Sequence, residues 1–226
     1  MRIWLPDAPG VLGAVAAEIG AAHGNVVGLE VLEREAGGAI DQLVVELPDE
    51  PGAVDAACRG VRNVMGAGVE EVIELGRSGA SEEAVLDRED GVLGAALEIL
   101  AGTTAETALK ALTNRLIALF DLSWLAVMDD RLEQFEETHG RIPSVEWVVA
   151  FAEGARSGAD PANDTMGSGV FVEPVPGSER TVCGGRASPV RRKERNEITM
   201  LVMVASRYIG ALMGRDLGGL RGGGGD

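Results

Sequence analysis

Apolar residues recur with two different periods in the first third of the chain. A period of two, typical of strands, predicts strands at residues 3–5, 26–33, 40–47 and 69–75. A spacing of three and four, typical of one helix face, predicts helices at residues 11–22 and 53–65. Gly24 is predicted to cap the first helix, and Gly37-Gly38 to form a hairpin turn. The predicted order is therefore strand, helix, strand, strand, helix, strand.

This order predicts an α+β fold that begins with a ferredoxin-like βαββαβ domain, an antiparallel sheet with both helices on one face. The turns Asp7-Ala8-Pro9-Gly10 and Asp49-Glu50-Pro51-Gly52 each precede a predicted helix, which fits the internal pseudo-symmetry of that arrangement. At the first turn, Gly10 removes side-chain bulk where the N–H groups of the first helical turn point outward. A carboxylate or phosphate is commonly held at such a place, so this turn is a candidate binding site.

The remainder of the chain predicts a second α+β domain. Residues 77–90 are polar and are interpreted as a linker, residues 91–215 as the domain, and the glycine-rich residues 216–226 as a disordered tail. Thr104 is a predicted helix N-cap. The predicted helices are 93–100, 105–119, 145–155 and 193–213, and the predicted strands are 123–128, 170–175 and 180–183. Residues 129–143 are charged and their pattern assigns no element.

Composition and charge exclude some partners. An apolar content of 46% is enough for a packed core, and the low aromatic share of 4% means that aliphatic residues fill it. The formal net charge of -16 would repel a phosphate backbone, so nucleic acid is not an expected partner. No run of about eighteen apolar residues predicts a membrane span, and no signal segment is recognised. We therefore expect a cytoplasmic protein, with Cys58 and Cys183 as reduced thiols.

Catalytic and metal-binding patterns are not found. His23 and His139 have no cysteine, second histidine or carboxylate at a ligand spacing, and are interpreted as surface or helix-end residues. No nucleophile elbow or phosphate-binding glycine pattern is present. The sequence thus predicts a protein that is not an enzyme and has no cofactor, catalytic residue or metal.

The first domain resembles the ACT domains, small regulatory modules that bind amino acids. The resemblance covers residues 1–75 and rests on the element order, on Asp7-Ala8-Pro9-Gly10-Val11-Leu12 and on Gly24-Asn25-Val26. It implies domains that pair through their edges as a homodimer, with the effector amino acid at the interface. It also implies that the ligand is held by the first loop and the start of the second strand, which in this chain are Asp7, Gly10, Val11, Leu12 and Asn25.

The chemistry of these side chains suits a small amino acid. Asp7 can accept from an ammonium group, the N–H groups of Val11 and Leu12 can meet a carboxylate, and the amide of Asn25 both donates and accepts. The alternative interpretation is that Pro9-Gly10 only starts a helix, with Asp7 as a cap and Asn25 as a turn residue.

The second domain more loosely resembles GAF-type sensor domains, on element order alone. If it held a ligand between sheet and loops, Trp124, Trp147 and Met166 would be candidates; the alternative is that they pack in the core or against loops. The sequence Gly-Val-Leu-Gly-Ala occurs at Gly10 and again at Gly91, where it is interpreted as helix composition.

One basic cluster stands out in this acidic chain, and it has two interpretations, as a site for an anion or acidic partner and as a solvated loop. Its members are Arg186, Arg191, Arg192, Lys193 and Arg195.

The resulting functional hypothesis is a non-enzymatic regulatory protein that binds a small amino acid or related metabolite at a dimer interface of the first domain. Two alternatives remain: a ligand-free dimerisation module that docks a separately encoded partner, and an unrecognised enzyme in the second domain.

Overall fold

The structure of the chain is a computed structural model that describes residues 1–35, 37–74, 88–131, 133–156 and 169–219. The chain divides into two compact units, Met1–Asp87 and Arg88–Asp226. Over the described residues it is a mixed α+β protein with two four-stranded antiparallel sheets and six helices. None of the described helices is both long enough and apolar enough to cross a membrane.

The first unit follows the predicted element order. Its elements are β1 (Arg2–Pro6), α1 (Val11–Ala21), β2 (Asn25–Glu35), β3 (Gly38–Glu46), α2 (Ala53–Asn63) and β4 (Gly68–Glu71). The strands lie in the order β2-β3-β1-β4, and every neighbouring pair is antiparallel. The order leaves β2, an eleven-residue strand, at one edge of the sheet.

Both helices of the first unit pack on the same face of the sheet. Ile3 and Leu43 from the strands form one core with Val15 and Ile19 of α1 and Val61 of α2. Because alternate residues of a strand point to opposite faces, the predicted period of two selects this inward set. The aliphatic core expected from the low aromatic content is therefore present here.

Most predicted boundaries in the first unit differ from the structure by one or two residues, and two features differ more clearly. The left-handed residue after α1 is His23, with φ 59°, rather than Gly24. Gly24 is required for a different reason, since a Cβ atom there would lie 2.8 Å from side-chain atoms of both Ile19 and Leu47. The last strand ends at Glu71 instead of residue 75, which lies outside the described residues.

The face of β1 opposite the helices holds a close contact between a large and a small residue. A Cβ atom at Gly38 would lie 2.5 Å from the ring of Trp4 and 2.4 Å from the carbonyl oxygen of Leu5. The indole therefore occupies the space that a side chain at position 38 would fill. Arg2, on the same face as Trp4, is buried and forms an ion pair with Glu71 at 3.6 Å.

Asp41 places a carboxylate on the helix-covered face of the sheet. It lies directly across from Ile3 on β1 and from Val31 on β2. The side chain is buried, and its Oδ1 atom has no hydrogen-bond partner among the described residues. Burial raises the pKa of Asp41, and the charge of Arg34 opposes that shift in part.

We expect the contribution of Asp41 to the stability of the first unit to fall as the pH rises above about 4, the pKa of an unperturbed Asp. A carboxyl whose pKa is raised by folding stabilises the folded state while it is protonated, and that contribution is lost as the pH passes through the raised pKa. Asp41→Asn should remove this dependence and increase the free energy of unfolding at pH 7, because the amide carries no charge that burial would penalise. Urea titrations at several pH values measure the free energy of unfolding of both proteins. If that free energy changed with pH equally in wild type and variant, this account of Asp41 would be contradicted.

The second unit is built on its own antiparallel sheet. Its elements are α3 (Arg88–Ala101), α4 (Ala105–Phe120), β5 (Trp124–Asp129), β6 (Gln134–Gly140), α5 (Val145–Arg156), β7 (Val170–Val175), β8 (Arg180–Gly185) and α6 (Arg192–Gly219). The strand order is β6-β5-β8-β7. Helices α3, α4 and α6 pack on one face of this sheet, around a core that includes Leu112, Phe120 and Ile198. Val148 of α5 packs on the other face.

Several predictions for this unit are confirmed and others are corrected. Thr104 caps α4 in a reciprocal arrangement with Thr107. A strand, β6, occupies part of the charged stretch to which no element was assigned. α3 begins at Arg88, inside the predicted linker, and α6 continues to Gly219, inside the predicted tail. The remainder of the linker and tail lies outside the described residues.

Candidate functional site

The two Pro-Gly turns of the first unit have the same backbone geometry. In each, the residue that follows Asp donates its N–H to the carbonyl of the preceding proline, Ala8 to Pro6 and Glu50 to Pro48, both at 2.8 Å. The N-cap residues Gly10 and Gly52 are left-handed, with φ of 87° and 89°. The duplicated sequence therefore folds into a duplicated structure, and each copy ends at a helix N-terminus.

The first turn leaves backbone donors open. Ala14 donates to the carbonyl of Gly10 at 2.9 Å, which is the first bond of α1. The N–H groups of Leu12 and Gly13 have no acceptor among the described residues, whereas that of Val11 turns back to the carbonyl of Ala8 at 3.4 Å. The pair of donors available to an anion is thus Leu12 and Gly13, one residue further along than the sequence predicted.

Asp7 is exposed and holds its loop in place through its backbone. Its N–H donates to the carbonyl of Gly37 at 3.0 Å, so the first turn lies against the hairpin between β2 and β3. The N-cap of α1 is Gly10, and no side chain caps this helix. The interpretation of Asp7 as a helix cap is therefore wrong.

Asn25 lies at the other end of the sheet. It is the first residue of β2, pairs with Glu46 of β3, and donates from Nδ2 to a carboxylate oxygen of Glu46 at 3.3 Å. It is a strand residue rather than the turn residue of the alternative interpretation. Pro6 pairs with Gly38 at the opposite end of β3, eight residues from Glu46, or about 27 Å at 3.4 Å per residue. Within one chain, the first turn and Asn25 do not form a common site.

The two helix starts differ in charge. The first turn of α2 contains Asp55, which compensates the positive end of that helix, while the first turn of α1 contains no acidic residue. An anion is therefore favoured at α1 over α2. The sequence already held this signal, since residues 11–14 carry no charge.

The edge strand β2 carries exposed apolar side chains. Val27 and Leu29 are exposed, Leu29 to 49%, although their alternation matches that of a buried strand. Periodicity identifies the face on which a residue lies, but not whether the strand is at the edge of the sheet. This exposed edge was therefore missed in the sequence.

The aromatic candidates of the second unit pack against one another. Trp124 and Trp147 meet edge to face, with ring centroids 6.5 Å apart, and Trp147 stacks on Phe151 at 5.1 Å. The Trp124 indole covers Gly185 on the neighbouring strand, where a Cβ atom would lie 2.7 Å from its Nε1. These contacts support the packing interpretation for Trp124, whereas Trp147 packs on its neighbours but stays 43% exposed. Met166 lies outside the described residues.

The basic cluster is in part a buried structural network. Arg186 is 5% exposed and forms an ion pair at 2.5 Å with Glu194, which is fully buried. Its remaining N–H groups donate to the carbonyls of Phe120, Ser188 and Pro189. Neither earlier interpretation of the cluster, an anion site or a solvated loop, holds for Arg186.

The cysteines, the histidines and possible metal-binding clusters are the remaining candidates for chemistry. The described residues contain no group of three or more His, Cys, Asp or Glu side chains that could hold a metal ion. Cys58 and Cys183 are free and buried, and burial raises the pKa of Cys183 to about 12, which keeps it as an unreactive thiol near neutral pH. His23 and His139 are exposed.

The chain was also compared with known proteins. No protein-family model, curated protein or solved structure matches it.

Proposed function

We propose that the first unit is a ferredoxin-like regulatory domain of the ACT type, which binds a small amino acid or related metabolite between two copies of the chain. The proposal rests on one observation: within one chain, the open N–H donors of the first turn and Asn25 lie at opposite ends of the sheet. A site that uses both needs a second chain.

Pairing along the edge strand β2 would supply that chain. A two-fold axis that places β2 antiparallel to its copy brings the Asn25 end of one strand beside the Glu35 end of the other. The Glu35 end pairs with Gly38, and the hairpin there holds the first turn through the bond from Asp7 to Gly37. The partner's strand then lies three strand spacings, roughly 14 Å, from β1, which leads into the first turn, instead of about 27 Å.

The exposed edge supports this pairing. A long edge strand with exposed apolar side chains is prone to unwanted association unless another chain covers it. Val27 and Leu29 give β2 these properties. Pairing of two β2 strands would satisfy the outward backbone groups and bury these side chains at once.

The polar groups fit the two ends of an amino acid. The N–H groups of Leu12 and Gly13, at a helix start without an acidic residue, suit a carboxylate. The exposed carboxylate of Asp7, anchored beside them, suits an ammonium group. The amide of Asn25 from the second chain would close the site, and the second unit would be the responding or second sensing part.

Binding is tested with the full chain by thermal unfolding in the presence of each of the twenty amino acids and of nucleotides. A ligand of the folded state raises the unfolding midpoint by an amount that grows with its excess over Kd. We expect at least one amino acid to do so, and expect Asn25→Ala and Gly10→Leu to lose the shift. If no compound shifts the midpoint, the alternative function, a ligand-free dimerisation module, is favoured.

The duplicated turn provides a matched control. Gly52→Leu introduces the same left-handed strain as Gly10→Leu but lies at the helix start that Asp55 already compensates. It should lower the midpoint of the ligand-free protein similarly and retain the ligand shift. Leu29→Lys should weaken both the β2 contact, measured as a fall in mass by light scattering, and ligand binding; a variant whose mass falls but which binds as well as wild type contradicts an interface site.

A further inference from the structure

Helix α3 of the second unit exposes a stripe of leucines. Leu93, Leu97 and Leu100 are 58%, 59% and 45% exposed, although their spacing of four and three places them on one helix face. The opposite face is buried, since Ala95 and Ile99 belong to the core. The leucine stripe of α3, as we call these three residues, is therefore an apolar surface additional to the one that holds α3 in the fold.

Small residues of α3 lie at positions symmetric to the leucines about Leu97. Gly94 and Leu100 lie three residues before and three residues after Leu97. Leu93 and Ala101 lie four residues before and four residues after it. A two-fold axis beside Leu97, with two copies of α3 antiparallel, therefore sets Leu100 of one copy against Gly94 of the other. A Cβ atom at Gly94 would have no atom of the chain within 4 Å, so there is room above it. The same axis sets Leu93 against Ala101.

The part of α3 around the stripe carries little charge. Between residues 91 and 101 the one charged side chain is Glu98. It is already bound to Arg115 of α4, whose Nε donates to it at 2.6 Å and whose Nη2 contacts its other carboxylate oxygen. Arg88, Glu89 and Asp90 precede this stretch at the start of the same helix. Because the chain as a whole carries a charge of -16, a stretch whose one carboxylate is already paired reduces the repulsion between two copies.

We propose that the leucine stripe of α3 is an interface between two copies of this chain, packed as an antiparallel helix pair about a two-fold axis at Leu97. The pattern favours a second copy as the occupant because each large residue of α3 meets a small residue of the same helix under that axis. The contact is separate from the β2 edge and does not depend on ligand binding.

Cysteine crosslinking of the full chain tests the contact and its direction. Cys58 and Cys183 are buried and leave introduced cysteines as the reactive ones. Under mild oxidation, Leu97→Cys should form a covalent dimer, since position 97 faces its own copy at the axis. Leu93→Cys alone should not, because the two copies of position 93 would be about 12 Å apart along the helices. A mixture of Leu93→Cys and Ala101→Cys proteins should form a mixed dimer.

The control is Met200→Cys, at an exposed apolar position of α6 with similar exposure, 52%. It reports crosslinking by random collision and should give a severalfold lower yield than Leu97→Cys. Adding Leu29→Lys to Leu97→Cys removes the β2 pairing and should leave the 97–97 crosslink in place. Equal yields at positions 97 and 200 overturn the proposal, as does a Leu93→Cys dimer without a mixed dimer, which would indicate a parallel contact.

Discussion

Replacing Arg186 with methionine is expected to lower the free energy of unfolding of the second unit by about 3–5 kcal/mol. Arg186 and Glu194 are buried together, and removing one member of such a pair leaves the other charged and desolvated. Arg186 also joins three segments, because its donors reach the end of α4, the loop before α6 and the first turn of α6. The loss should appear in urea unfolding followed by the fluorescence of Trp124 and Trp147.

A second arginine of the same unit provides the comparison. Arg180 binds Glu136 through two hydrogen bonds of 2.6 and 3.0 Å, but both side chains are about one-third exposed. Solvent screens that pair, so Arg180→Met should cost about 0–1 kcal/mol. The double variant Arg186→Met with Glu194→Leu should recover part of the stability, because no buried charge is then left alone. Similar losses for the two single variants would contradict this account of Arg186.

Replacing Gly38 with alanine is expected to destabilise the first unit by about 1–3 kcal/mol or more. The added Cβ atom would overlap the carbonyl oxygen of Leu5 at 2.4 Å, and a backbone group cannot move aside as a flexible side chain can. The Trp4 ring, at 2.5 Å, would have to leave the surface of β3. Trp4 is the only tryptophan in residues 1–87, so its fluorescence should report both the displacement and the loss of stability.

Gly68→Ala is the control for this substitution. Gly68 pairs with Trp4 from the other side, on β4, and a Cβ atom there would meet only the Cβ of Trp4, at 4.0 Å. That is ordinary contact, so the variant should unfold within about 0.5 kcal/mol of wild type. If both variants were equally mild, the close packing of Trp4 on Gly38 would be contradicted.

The element order of the first unit could be predicted because each segment has a clear period and a glycine or proline at its ends. The same reasoning failed for β6, where Phe135 is followed by Glu136 and Glu137. β6 is an edge strand with mostly exposed side chains, and on its partly buried face Phe135 is the one apolar residue that packs against the core, so the sequence shows no apolar alternation. The burial of Arg186 could not be predicted either, because the sequence shows the charge of an arginine but not whether the fold buries it.

The candidate site shows a similar limit. The residues of the first turn and Asn25 could be recognised from sequence, because both flank predicted elements in a pattern that resembles a known family. Their separation could not, since it follows from the antiparallel pairing of β2 with β3, which carries Asn25 to the far end of the sheet. The shift of the open donors to Leu12 and Gly13 depends on the left-handed conformation of Gly10, which turns the N–H of Val11 back toward Ala8.

The edge strand β2 and the leucine stripe of α3 lie on different units of the same chain, and this bears on how copies would assemble. A two-fold contact is satisfied by one neighbour, so a chain with two such faces gives a closed dimer only when both axes coincide. With separate axes, the two contacts alternate and the chains polymerise into a ring or an open filament. Light scattering over a range of concentrations separates these cases: a closed dimer reaches a constant mass, whereas alternating contacts give a mass that keeps rising until one face is blocked.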